Sequence, residues 1–168
     1  MDLLKSATDW AKAELFSTPF FVGFGVLFVM ASIGFWQLGK SELARAYIIP
    51  MLVAGLLLMV IGIGLYLTNR TRLADFPEAY ERDAPAFVAA EIARAEATLK
   101  EYDTVVFTAI PIIIAVCAVG IMFLSAPVWR ASLITAIAML VVILLIDGTA
   151  YARMNAYYRA LLSAQEAY

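Results

Sequence analysis

Four stretches of the chain carry no charged residue: 15–39, 46–69, 104–129 and 131–146. Charges return in clusters between them, so segments suited to hydrocarbon alternate with segments suited to water. A helix of about 20 apolar residues crosses the ~30 Å hydrocarbon layer of a bilayer, and the first three stretches are longer than that. The fourth is shorter, and completes a crossing only with Pro127, Val128 and Trp129 before it or with the residues past Asp147. Backbone polar groups in lipid have to be satisfied within the segment or in a closed barrel. Barrel strands would alternate lipid-facing and lumen-facing residues, and these runs do not. The pattern therefore predicts an all-α fold, a four-helix transmembrane bundle with spans at 19–38, 46–68, 104–124 and 128–150.

Boundary residues are consistent with those spans. Ser17, Thr18 and Pro19, and again Ser125, Ala126 and Pro127, place a capping hydroxyl just before a proline, which a helix tolerates in its first turn. Trp36, Tyr47 and Trp129 fall at one expected interface and Trp10, Tyr66, Tyr102 and Tyr151 at the other, giving two aromatic belts.

The charged segments have a pattern of their own. Val88, Ile92, Ala95, Leu99 and Tyr102 recur at spacings of four and three, with Glu91, Arg94, Glu96, Lys100 and Glu101 on other faces, the signature of an amphipathic helix. Residues 70–103 thus read as a loop followed by this helix. Pro77 and Pro85 bound its start, Asp83 lies near its capping position, and nothing between Ala86 and Thr104 breaks it. It is expected to run into the third span as one helix of about 40 residues, ~60 Å long. Leu3, Leu4, Ala7, Trp10 and Ala11 form an apolar face over 1–16, expected to lie in the membrane interface. Residues 151–168 are left as a tail. Ala11-Lys12-Ala13-Glu14 and Ala93-Arg94-Ala95-Glu96 each precede a pair of spans, so the order of amphipathic helix, span, short loop and span occurs twice; two ordinary hairpins are the alternative to a repeat.

Composition narrows the class. Of 168 residues 64% are hydrophobic, against about half in soluble domains, so lipid is the expected environment. Of the 12 Lys and Arg, nine (Lys5, Lys12, Arg70, Arg72, Arg82, Arg94, Lys100, Arg153 and Arg159) flank one side of the spans and three (Lys40, Arg45 and Arg130) the other. The excess of basic residues marks the cytoplasmic side, which puts both termini in the cytoplasm of a multi-pass cell-membrane protein. With a net charge of −2 and no basic stripe, nucleic acid is not an expected partner. The leading segment carries mixed charge and its apolar run is too long for a signal peptide, so it is read as retained.

Candidate chemistry is sparse. There is no histidine and one cysteine, Cys117, which reads as a small buried hydrophobe. No GxSxG, HExxH, DxD or Walker pattern occurs. No catalytic, cofactor-binding or metal-ligating residue is assigned, and no enzyme is expected. Asp75, Glu78, Glu81 and Asp83 lack the ligand spacing of a calcium loop and read as a solvated turn. Asp147 is the one acidic residue attached to an apolar run, and an ionisable group near membrane depth is a site hypothesis by default. Its candidate partners are Arg70 and Arg72 at the end of the second span, since Arg153 points elsewhere on the same helix. A structural ion pair and an ion- or proton-coupling role are the two readings. Pro111 removes the donor for the carbonyl of Phe107, a candidate helix kink. Gly23, Gly25, Ala31 and Gly34 in the first span, and Gly55, Gly62 and Gly64 in the second, permit close helix approach.

The expected function is a non-enzymatic membrane protein that acts by self-association, as a homo-oligomer, or as a subunit with other membrane proteins in the bilayer. The seam of the amphipathic helix suggests pairing with a partner. The alternative is a small oligomeric channel or transporter, with Ser32, Gln37, Thr108 and Asp147 as its polar groups.

Overall fold

A computed structural model describes residues 3–165, so Met1, Asp2 and the last three positions of the expected tail lie outside the described residues. The protein is all-helical, with four helices long and apolar enough to cross a membrane. In chain order these are α1 (Leu3–Leu38), the short α2 (Glu42–Ala46) leading into α3 (Ile48–Arg82), and α4 (Ala84–Glu101), which passes through a π-helical segment (Tyr102–Ala109) into α5 (Ile110–Phe123). The last is α6 (Pro127–Gln165).

The four long helices contain 36 to 41 residues each, α2 being counted with α3 and α4 with α5. At 1.5 Å per residue that is about 54 to 62 Å, nearly twice the ~30 Å hydrocarbon layer. Every helix therefore carries a membrane-length apolar part and a projecting part, and all four projections gather at the arginine-rich end. Two storeys result, one apolar and one charged.

In the apolar storey α1 and α3 approach closely. A Cβ added to Gly25 would lie 2.7 Å from the Gly55 carbonyl oxygen, and one added to Gly62 would lie 2.8 Å from the Cβ of Phe21. Gly23, Gly34 and Gly64 meet nothing, so only three of the glycines form the contact. Phe21, Leu58, Val142 and Ile146 make a small core where α6 joins this pair. Among the described residues α5 packs against α6 and the π segment alone, leaving Val116, Val119 and Met122 outward. The two hairpins are thus packed differently, whatever their order of elements.

The charged storey has a larger core. Leu3, Ala7, Trp10 and Ala11 of α1 meet Phe76 of α3, Phe87, Val88 and Ala95 of α4, and Met154, Tyr157 and Leu161 of α6. This corrects the interfacial helix expected over 1–16: its apolar face is covered by the chain's own helices, and Trp10 belongs to a core and not to an aromatic belt. It also corrects the helix start at Pro19, which lies inside α1. Pro19 cannot donate to the Leu15 carbonyl one turn back, and the Thr18 hydroxyl donates to that carbonyl at 3.4 Å. The expected loop at 70–82 is likewise helical through Pro77. The chain breaks at Asp83, whose backbone is extended and whose carboxylate accepts from the Ala86 N–H at 3.0 Å. The 40-residue helix expected from there into the third span is found, Ala84–Phe123. Residues 151–165 continue α6 as helix.

Candidate polar chamber

Where the storeys meet, the four helix systems surround a partly open cavity of about 200 Å³. From α1 come Trp10, Glu14, Ser17, Thr18 and Phe21; from α3, Leu65, Thr68, Asn69 and Arg72. Arg94, Thr98, Glu101 and Tyr102 line the α4 side, and Ile146, Asp147, Ala150 and Met154 of α6 complete the wall. Phe21 and Ile146 also belong to the apolar core with Leu58 and Val142, so on that side the chamber ends against packed hydrocarbon.

Two ion pairs hold the walls. Arg153 donates to Glu14 at 3.0 Å and to the Ser17 hydroxyl at 2.7 Å, tying α6 to α1 across 139 positions of sequence. Arg94 donates to Glu91 at 2.9 Å, and the same carboxylate accepts from the Tyr157 hydroxyl at 2.9 Å. Tyr157 stacks on Trp10 with ring centroids 5.2 Å apart, and the Arg94 guanidinium lies 4.5 Å from the Trp10 ring centroid. These contacts lie beyond the apolar runs. Burial raises the Tyr157 phenol well above its ordinary range, and the neighbouring Glu91 charge adds to this. For Arg94, burial works to lower the pKa, and the hydrogen bonds and charge of Glu91 outweigh it, so the group is held above its ordinary value. Both effects fix the protonation states that the network needs.

Arg72 and Asp147 lack such partners. Arg72 donates to the Asn69 side chain at 3.1 Å, and burial followed by the Arg94 charge lowers its pKa. Neither residue is in an ion pair among the described residues. The expected pairing of Asp147 with Arg72 is therefore a shared cavity and not a contact, and Arg70 is exposed on α3 away from it. The other expected polar groups do not join them. The Ser32 hydroxyl donates to the Ile48 carbonyl at 2.7 Å, Gln37 is exposed, and the Thr108 hydroxyl donates to the Asp103 carbonyl at 2.8 Å.

Pro111 stands in the first turn of α5, just after the π segment. The Ile110 N–H bonds the Val105 carbonyl five residues back. A proline displaces the carbonyl four residues before it, and the wider π turn accommodates that displacement. Short π segments recur at functional sites, and this one begins at Tyr102 on the chamber wall. Cys117 is buried and free. Among the described residues no three acidic or cysteine side chains converge to hold a metal.

Glu14, Glu91, Arg94 and Tyr157 were not singled out as site residues by sequence reasoning. One signal could have found them. Two amphipathic stripes, at 3–11 and 88–102, lay at the same end of the spans, and pairing them brings their flanking charges together. Comparison with protein-family models, with curated proteins and with solved structures finds no match for the chain.

Proposed function

We propose that this is a non-enzymatic multi-pass protein of the cell membrane, with both termini cytoplasmic, whose working part is the chamber. It moves a small solute or ion, and Asp147 is the coupling group. The observation that carries this reading is the partly open cavity lined by an arginine and an aspartate that are not paired with each other, at the boundary between lipid-facing and water-facing helix. Charge placed there without a partner costs stability, and a binding role gives a reason for it. Orientation rests on the nine basic residues of the charged storey. The test is flux in liposomes loaded with a pH-sensitive dye under an imposed pH gradient. Wild-type protein speeds relaxation over empty liposomes and Asp147→Asn removes the gain. Unchanged flux with lowered stability would make Asp147 structural.

The second reading is action by self-association or as a subunit of a larger membrane complex. The α4 stripe no longer motivates it, because α1 and α6 occupy that face. What favours it is α5, held across the bundle by α6 alone among the described residues. Crosslinking in native membranes tests it, with a monomer at every concentration as the result against it.

A further inference from the structure

We infer that the chamber binds a small zwitterion, its oxyanion held by Arg72 and its ammonium group by Asp147. The inference rests on the solute-binding reading above and names the chemical class. The charges of the wall sort into those already compensated and those left over. Glu14 is neutralised by Arg153 and Arg94 by Glu91, while Glu101 is exposed to solvent. Outside these ion pairs stand one guanidinium, Arg72, which bonds Asn69, and one carboxylate, Asp147, on different helices of one cavity. An anion alone would leave Asp147 uncompensated, and a cation alone would leave Arg72. A neutral solute would leave both. A molecule carrying both signs answers each with a charge-assisted hydrogen bond.

Trp10 also lines the chamber. Trp10 is 6% exposed, and its Nε1 is buried with no hydrogen-bond partner. Leaving such a donor without a partner costs stability. The ring is covered by Tyr157 and the Arg94 guanidinium. The volume of about 200 Å³ equals six or seven waters at roughly 30 Å³ each, enough for a molecule the size of an amino acid or a phosphorylated amino-alcohol. The same chemistry is available as a free solute or as the headgroup of phosphatidylethanolamine.

The probe is O-phosphoethanolamine, titrated calorimetrically into the full chain in lipid-free detergent. Saturable binding is expected, with ethanolamine and inorganic phosphate each weaker by at least about tenfold, which is 1.4 kcal/mol. Arg72→Gln and Asp147→Asn each weaken it by about tenfold or more, while Arg70→Gln does not. Repeating the titration in nanodiscs separates the sources. Equal affinity in phosphatidylcholine and phosphatidylethanolamine discs identifies a free solute, and weakening in the latter identifies the headgroup. No saturable binding by wild type, or equal affinity for phosphate alone, overturns the inference without any variant, leaving water as the occupant. Binding without flux would sink the transport reading while the site stands; flux without binding sinks the zwitterion.

Discussion

The two storeys of this protein are held together by different forces. In the apolar storey, helix association gains nothing from leaving the solvent, because lipid tails are as apolar as the side chains. Contact there depends on close backbone approach, as at Gly25, Gly55 and Gly62, and large side chains such as Leu27, Val60 and Met122 stay outward. In the charged storey water supplies the driving force, and the core consists of large residues, Trp10, Phe76, Phe87, Tyr157 and Leu161, with alanines 7, 11 and 95 fully covered between them. The same chain thus follows the packing rules of a membrane bundle at one end and of a soluble domain at the other.

That contrast can be broken from either side. The largest effect is expected from Trp10→Ala, which empties the centre of the charged storey at a cost of about 3–5 kcal/mol. Hydrogen–deuterium exchange should rise sharply over 84–101 and 151–165 and little over 48–62; a uniform rise would mean that the storeys unfold as one. Next comes Gly55→Ala, where the new methyl meets the Gly25 carbonyl at 2.7 Å. Overpacking of about 1–3 kcal/mol is expected, read by detergent-induced unfolding. Gly64→Ala, with open space around it, should be neutral or gain up to about 1 kcal/mol, and equal losses in both would discredit the glycine contact. The smallest effect is that of Tyr157→Phe, which removes one hydrogen bond to Glu91 for about 1 kcal/mol and keeps the stack on Trp10. Thermal unfolding of the charged storey measures it.

The apolar storey was legible in sequence because lipid acts on each segment separately. A long uncharged run must be a helix whatever its neighbours do, and the unbroken path from α4 into α5 followed from the lack of a breaker. The charged storey was not legible, because its structure depends on pairs remote in sequence. Glu14 meets Arg153 and Glu91 meets Tyr157, and no local pattern encodes either pair. Pro19 and Pro77 read as boundaries by the ordinary local rule. Tertiary contact on both sides of each proline overrides it, with Thr18 supplying the donor that Pro19 lacks. Asp147 was visible as a charge out of place, but its relation to Arg72 is set by the cavity between two helices, which periodicity does not describe.

The eight residues from Tyr102 to Ala109 have one more effect. Their wider coil takes up residues that an ordinary helix would have counted as rotation. The azimuth at which α5 meets α6 is therefore offset from the one that an ordinary helix continuing α4 would give. Shortening this stretch by one residue would turn everything after it by about 100°, swinging the line from Ile110 to Cys117 off its seat. The length of this segment thereby sets how the upper end of the molecule is turned relative to the lower.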